Sequence, residues 1–139
     1  MTSSRTVVQP ASHPDPAGNY STAVRIPADG AALLFISGQV AKGPDGAPTA
    51  IGDAGRQTER IFHLIEEILE EAGGSVDDLA ALTIYIVDMA DFPAVTTVRN
   101  NRLGASPPTS SIIQVSGFAR EEFLVEITAT AVLRDAGKP

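Results

Sequence analysis

Apolar residues recur along this chain at two spacings, and each change of spacing marks an element. From Tyr20 to Ile26 and from Ala31 to Gln39 the residues suit strands, with Asp29-Gly30 between them as a hairpin signal. Ile61, Leu64, Ile65, Ile68, Leu69 and Ala72 then share one helical face, while Arg60, His63, Glu66, Glu67, Glu70 and Glu71 fall elsewhere. Asp53 is the expected N-cap of this helix and Gly73-Gly74 its stop. Leu79 to Val87 returns to a strand-like apolar run. Asp91-Phe92-Pro93 reads as a capped start with proline in the first turn, opening a second helix that runs to about Leu103 before Gly104 and Pro107-Pro108 end it. Two more strand-like runs follow, Pro108 to Val115 and Phe123 to Leu133.

The predicted order is strand, strand, helix, strand, helix, strand, strand. This is an α+β domain in which two helices cover one face of a sheet. Residues 1–18 hold Ser, Thr, prolines and a glycine without periodicity, so they are read as a flexible N-terminal arm, with a single domain over 19–135. Lys42 to Pro48 is read as a surface turn whose glycines lack the ending of a phosphate loop.

In the last strand Phe123, Val125, Ile127, Ala129, Ala131 and Leu133 alternate with Leu124, Glu126, Thr128, Thr130 and Val132, so even the more polar face keeps Leu and Val. Two helices cover one side only, and a large exposed apolar face is unusual in a soluble monomer. The second face is therefore expected to be buried against copies of the chain, with pockets between subunits. Glu126 is the one carboxylate inside that strand. Burying it unpaired costs several kcal/mol or raises its pKa, so it lies either at an exposed edge or in a polar pocket.

Composition narrows the chemistry. The chain has 139 residues, enough for one core, and no cysteine, which removes disulfides and thiolate nucleophiles or metal ligands. It has no apolar run of membrane-spanning length and no signal-like core at its start, so a soluble cytoplasmic protein without membrane contact is expected. A formal charge of −7 with scattered basic residues disfavours nucleic acid as a partner. His13 and His63 are read as solvated rather than catalytic, and the Glu66, Glu67, Glu70 and Glu71 cluster as a wet helix surface rather than a metal site. Ser37-Gly38-Gln39 closes a strand where a backbone or ligand could approach closely, and Tyr20 could aim a phenol into a cleft. Arg99 and Arg102 are the local guanidinium pair near the Pro108 strand, able to hold a carboxylate or simply to face solvent.

These pieces together resemble the Rid family, also called YjgF or RidA. The matching segments are Ile36-Ser37-Gly38-Gln39, Leu69 to Gly73, Thr83 to Met89, Asp91-Phe92 and Val125 to Ala131. The resemblance implies a chorismate-mutase-like fold with a mixed sheet, a homotrimer with inter-subunit clefts, and cofactor-free hydrolysis of reactive enamines or imines, the glutamate handling water. Carried over, the glutamate falls on Glu126, the tyrosine on Tyr20, and backbone donors on Gly38 and Ile112, with Ser37 beside them. The family's carboxylate-binding arginine falls on Ser110 and its asparagine on Thr96. A charge-assisted clamp worth on the order of 1.5–3 kcal/mol per hydrogen bond is thereby replaced by a hydroxyl. Either Arg99 or Arg102 substitutes for it, or the ligand has a neutral group that Ser110 and Ser111 could bind. The readings carried forward are a diverged imine or enamine deaminase with Glu126 as acid/base, a non-catalytic trimeric small-molecule binder, and a ribonuclease-like translation inhibitor, which the acidic charge makes least attractive.

Overall fold

A computed structural model of the chain describes residues 5–134. Residues 1–4 of the expected arm and the expected domain end at 135 lie outside them. The elements are β1 (Thr6–Val8), β2 (Ala23–Ala28), β3 (Ala31–Gln39), α1 (Ala54–Glu71), β4 (Leu79–Ile86), α2 (Phe92–Arg102), β5 (Thr109–Gln114) and β6 (Val125–Arg134). They form one six-stranded sheet in the order β1-β2-β3-β6-β4-β5. It is mixed as expected: β4 and β5 are parallel because α2 carries the chain back between them, and all other pairs are antiparallel.

Helix α1 forms where its periodicity predicts. The Asp53 carboxylate accepts from the Arg56 amide at 3.0 Å, which closes the first turn. Ile61, Phe62, Leu64, Ile65, Ile68 and Leu69 are fully buried, each contributing about 1.5–3 kcal/mol, enough to outweigh the cost of ordering the helix. All but Leu64 share one core with Val125, Ile127, Ala129, Ala131 and Leu133 of β6, with Leu34, Ile36, Leu82, Ile84 and Ile86 of its neighbours, and with Val95 and Val98 of α2. On the opposite sheet face Phe35 and Val132 remain 44% and 45% exposed. Among the described residues no helix is long and apolar enough to cross a membrane.

The segment before the domain corrects the sequence reading. Far from hanging loose, β1 pairs with Ala23 to Arg25 of β2, and Val8, Pro10 and His13 are buried. Periodicity could not reveal it, because three residues are too few to show alternation. His13 is likewise not solvated. Its Nε2 lies 3.2 Å from Glu67 Oε1, yet neither atom is aligned for a hydrogen bond, so the contact is electrostatic and packing excludes water. His63 does face solvent, with its Nε2 3.3 Å from the other Glu67 oxygen.

A second anchor is Gln57, fully buried at the start of α1. Its amide donates to the carbonyls of Ala50 (3.3 Å) and Glu122 (2.9 Å) and accepts from the Leu124 amide (2.9 Å). One side chain thus ties the loop that precedes β6 to the first helix. Cutting it to alanine leaves at least two half-buried backbone groups unpaired, at about 1–3 kcal/mol each. Gln57→Ala is therefore expected to lose about 2–4 kcal/mol of unfolding free energy in urea titrations, and an unchanged midpoint would show that water replaces it.

Burial holds the His13 pKa below its ordinary 6.5, while Glu67 pulls it up and Lys42 and Arg60 push it down. Because the folded state takes the proton less readily than the unfolded chain, stability falls as pH drops below about 6.5. A His13→Gln variant is expected to lose that part of the decline between pH 7 and 5.5. Parallel stability curves for variant and parent over that range would refute the assignment.

Candidate active site

The antiparallel register of β3 and β6 breaks between Ile36 and Gln39, leaving Ser37 and Gly38 without partners in β6. Such a bulge bends a strand and frees space beside it. Glu126, the second residue of β6, fills that space from the open face of the sheet. A Cβ on Gly38 would overlap Glu126 Oε2 and stand 2.8 Å from its Cδ, so glycine is required for the carboxylate to lie where it does. Of the two positions open to Glu126 from the sequence, an exposed edge or a polar pocket, the structure has the pocket.

The carboxylate lines a cleft of about 520 Å³ together with Tyr20, Ser37, Gly38, Lys42 and Arg120. Its apolar walls are Phe118, Phe123 and the arm residues Pro14, Pro16 and Ala17. Desolvation raises the Glu126 pKa above 4.5, and Lys42 draws it partly back. Lys42 is depressed from 10.5 by burial first, with Glu126 opposing and Arg60 reinforcing the shift. The Ser37 hydroxyl is committed to the Ser21 carbonyl (2.6 Å) and its amide to the Thr22 carbonyl (2.9 Å), which fixes the bulge. Tyr20 is 57% exposed at the rim. A shallower depression of about 650 Å³ adjoins it between Val7, Val24 and Phe35. It holds no acid, unlike the smaller cleft with Glu126.

The remaining candidates lie elsewhere in the chain. Ser110 and Ser111 sit on β5, two strands away from β6 at the sheet edge, and Ile112 is half-buried beside them. Arg99 Nη1 donates to the Ser110 hydroxyl at 3.1 Å, and Thr96 donates to the carbonyl of Phe92 in its own helix at 2.9 Å. Arg102 is held by Glu59 (2.6 Å) and Glu66 (2.7 Å) of α1 and stands 6.0 Å over the Phe62 ring. Within one protomer neither arginine lines the Glu126 cleft.

Lys42 was missed by the sequence reading, which assigned residues 42–48 to a plain surface turn. That turn is in fact pinned: Lys42 bridges to Pro48, and Arg60 Nε donates to the Lys42 carbonyl at 2.9 Å. The available signal was the continuation of strand alternation past Gln39, with Ala41 buried and Lys42 half-buried.

The two-helix α+β domain with its mixed sheet is the Rid fold. The chain belongs to the family described as Endoribonuclease L-PSP, also known as YjgF or Rid, whose model matches residues 10–133. It is 33% identical over 118 residues to a RutC family protein of Pyrococcus abyssi, covering 85% of this chain and 89% of the relative. It is 30% identical over 125 residues to the 3-aminoacrylate deaminase RutC of Acinetobacter baylyi, covering 90% and 95%. Among solved structures, RidA from an Antarctic Psychrobacter superposes with a TM-score of 0.78 at 26% identity, covering 93% of this chain and 98% of that one.

Because the atom that Gly38→Ala would strike is the tip of a flexible side chain, the fold should survive and Glu126 should move. The expected loss in urea stability is below about 1 kcal/mol, with a Glu126 carboxyl titration, followed by NMR, displaced toward the ordinary 4.5. An unmoved titration would mean that the carboxylate does not rest on Gly38.

Proposed function

We propose that the protein hydrolyses a reactive imine, or the imine tautomer of an enamine, to a carbonyl compound and ammonia, with Glu126 as the acid/base. The observation that carries this reading is a single half-buried carboxyl group with a raised pKa over a glycine bulge, in a cleft of small-molecule size. The likeness to a deaminase named for 3-aminoacrylate supports it. Ionised Glu126 accepts a proton from water as the oxygen bonds to the imine carbon. The protonated acid gives that proton to the nitrogen, forming a neutral carbinolamine; Glu126 then takes the carbinolamine hydroxyl proton and delivers it to the amino nitrogen as the carbonyl forms, the C–N bond breaks and ammonia departs. A carboxyl poised above its usual range is better matched to both halves near neutral pH. The chemistry needs no cofactor.

In this reading the cleft is completed by a neighbouring copy in a homotrimer. The exposed apolar residues Phe35 and Val132 on the open face support burial against like subunits. The β5 edge of one subunit, with Ser110, Ser111, Ile112, Arg99 and Thr96, then approaches Glu126 and Tyr20 of the next. Arg102 stays with its two glutamates and takes no part. The acidic charge gives RNA cleavage no electrostatic support.

Glu126→Gln is expected to lower ammonia release from 2-iminobutyrate or 3-aminoacrylate by about 10²–10⁴-fold. In the parent enzyme the acid limb of kcat/KM should lie above pH 4.5, since the folded pKa is raised. Full turnover by the variant would remove Glu126 from the chemistry. Ligand binding without ammonia release from any imine tested would instead make the protein a binding module. Light scattering should return a mass of three chains.

A further inference from the structure

The cleft holds more charge than the hydrolysis uses. Lys42 enters it from the turn after β3, with its backbone pinned by the Pro48 bridge and by Arg60. Its ammonium makes no ion pair among the described residues, although it lines the same cavity as Glu126 and the two sense each other electrostatically. The other charged groups on the walls are otherwise engaged or peripheral. Arg120 turns to Glu122 at 3.2 Å. One Asp45 oxygen accepts from the Ala47 amide at 2.9 Å, and Asp15 is exposed. A partly desolvated cation without a partner is costly unless an anion completes it. Within one protomer Arg102 is held away from the cavity by Glu59 and Glu66, and Arg99, which could reach the cleft only from a neighbouring copy, donates to Ser110.

We propose that Lys42 is the anion anchor of this cleft: it binds the carboxylate of a small amino-acid-derived imine or enamine, with the nitrogen-bearing carbon turned toward Glu126, and so selects anionic over neutral substrates. The proposal rests on the deaminase reading for the identity of the substrate, but not for the existence of the anion site. Lysine fits the task as a compact point charge reaching into a narrow cavity, where a planar guanidinium would need a matching fork. The separation of Lys42 from Glu126 gives the ligand a positive end and an acid/base end.

The test is equilibrium binding, by calorimetry, of 2-oxobutyrate and its neutral counterpart 2-oxobutanamide to the full-length protein and to Lys42→Met, Lys42→Gln and Lys42→Arg. The parent should bind the carboxylate about 10- to 100-fold more tightly than the amide, the range of one charged hydrogen bond. Lys42→Met should erase that preference while leaving amide binding within about twofold, and Lys42→Arg should restore part of it. Lys42→Gln provides the same charge removal with a polar chain if the methionine variant does not fold. Loss of Lys42 should also move the Glu126 titration upward, because Lys42 lowers it, a change that a merely structural role would not produce. No carboxylate preference in the parent, or an undiminished one in the folded charge-removed variants, overturns the proposal. The two readings fail separately: a Lys42-dependent preference without ammonia release retains the anchor and removes the deaminase, whereas ammonia release with unchanged KM in Lys42→Met does the reverse.

Discussion

The contact on which the site depends is the Glu126 carboxylate lying against the bare Cα of Gly38. It exists because β3 skips register with β6 between Ile36 and Gln39. A regular ladder would have filled that position with a cross-strand side chain. The same bulge fixes Ser37 through its hydroxyl and amide, so the strand that makes room for the acid is also held rigid beside it. Preorganisation of this kind removes the need to move a charged group at the moment of proton transfer.

Around that contact the chain works as a frame. The helices bury one sheet face and leave the other free, which is how an ionisable residue can sit in β6 without entering the core. Its alternation with Val125 and Ile127 places the acid on the open side while its neighbours are fully buried. The cleft wall is assembled from remote segments: the arm brings Pro14 to Ala17, held by β1 pairing and by His13, and Gln57 holds the loop that contributes Phe118 and Phe123. Its ends are thus secured by the first helix, and changes in α1 should be felt at the site without touching it.

The electrostatics are those of a small, partly dry cavity. Desolvation pushes Glu126 toward its neutral form and Lys42 toward its own, and each opposes the displacement of the other. Neither is quenched by a direct ion pair, so both remain available to a ligand. Arg102 shows the contrary arrangement: two carboxylates and an aromatic face hold it, and it serves the junction of the two helices.

The sequence by itself determined the order of elements from β2 onward, the two helices and the alternation that turns Glu126 from the core, because these follow from periods of 3.6 and 2 and from caps such as Asp53 that act over a few residues. Gln57 was readable in principle, lying at helical spacing from Ile61 and Leu64, but its partners were not, since they are 65 and 67 positions away. Only the tertiary structure decided that the arm is docked, that His13 is buried, that Arg102 pairs with carboxylates of α1, and that Lys42 shares a cavity with Glu126. Those facts arise from contacts between segments distant along the chain, where burial and charge depend on which surfaces meet, and local pattern carries no record of that.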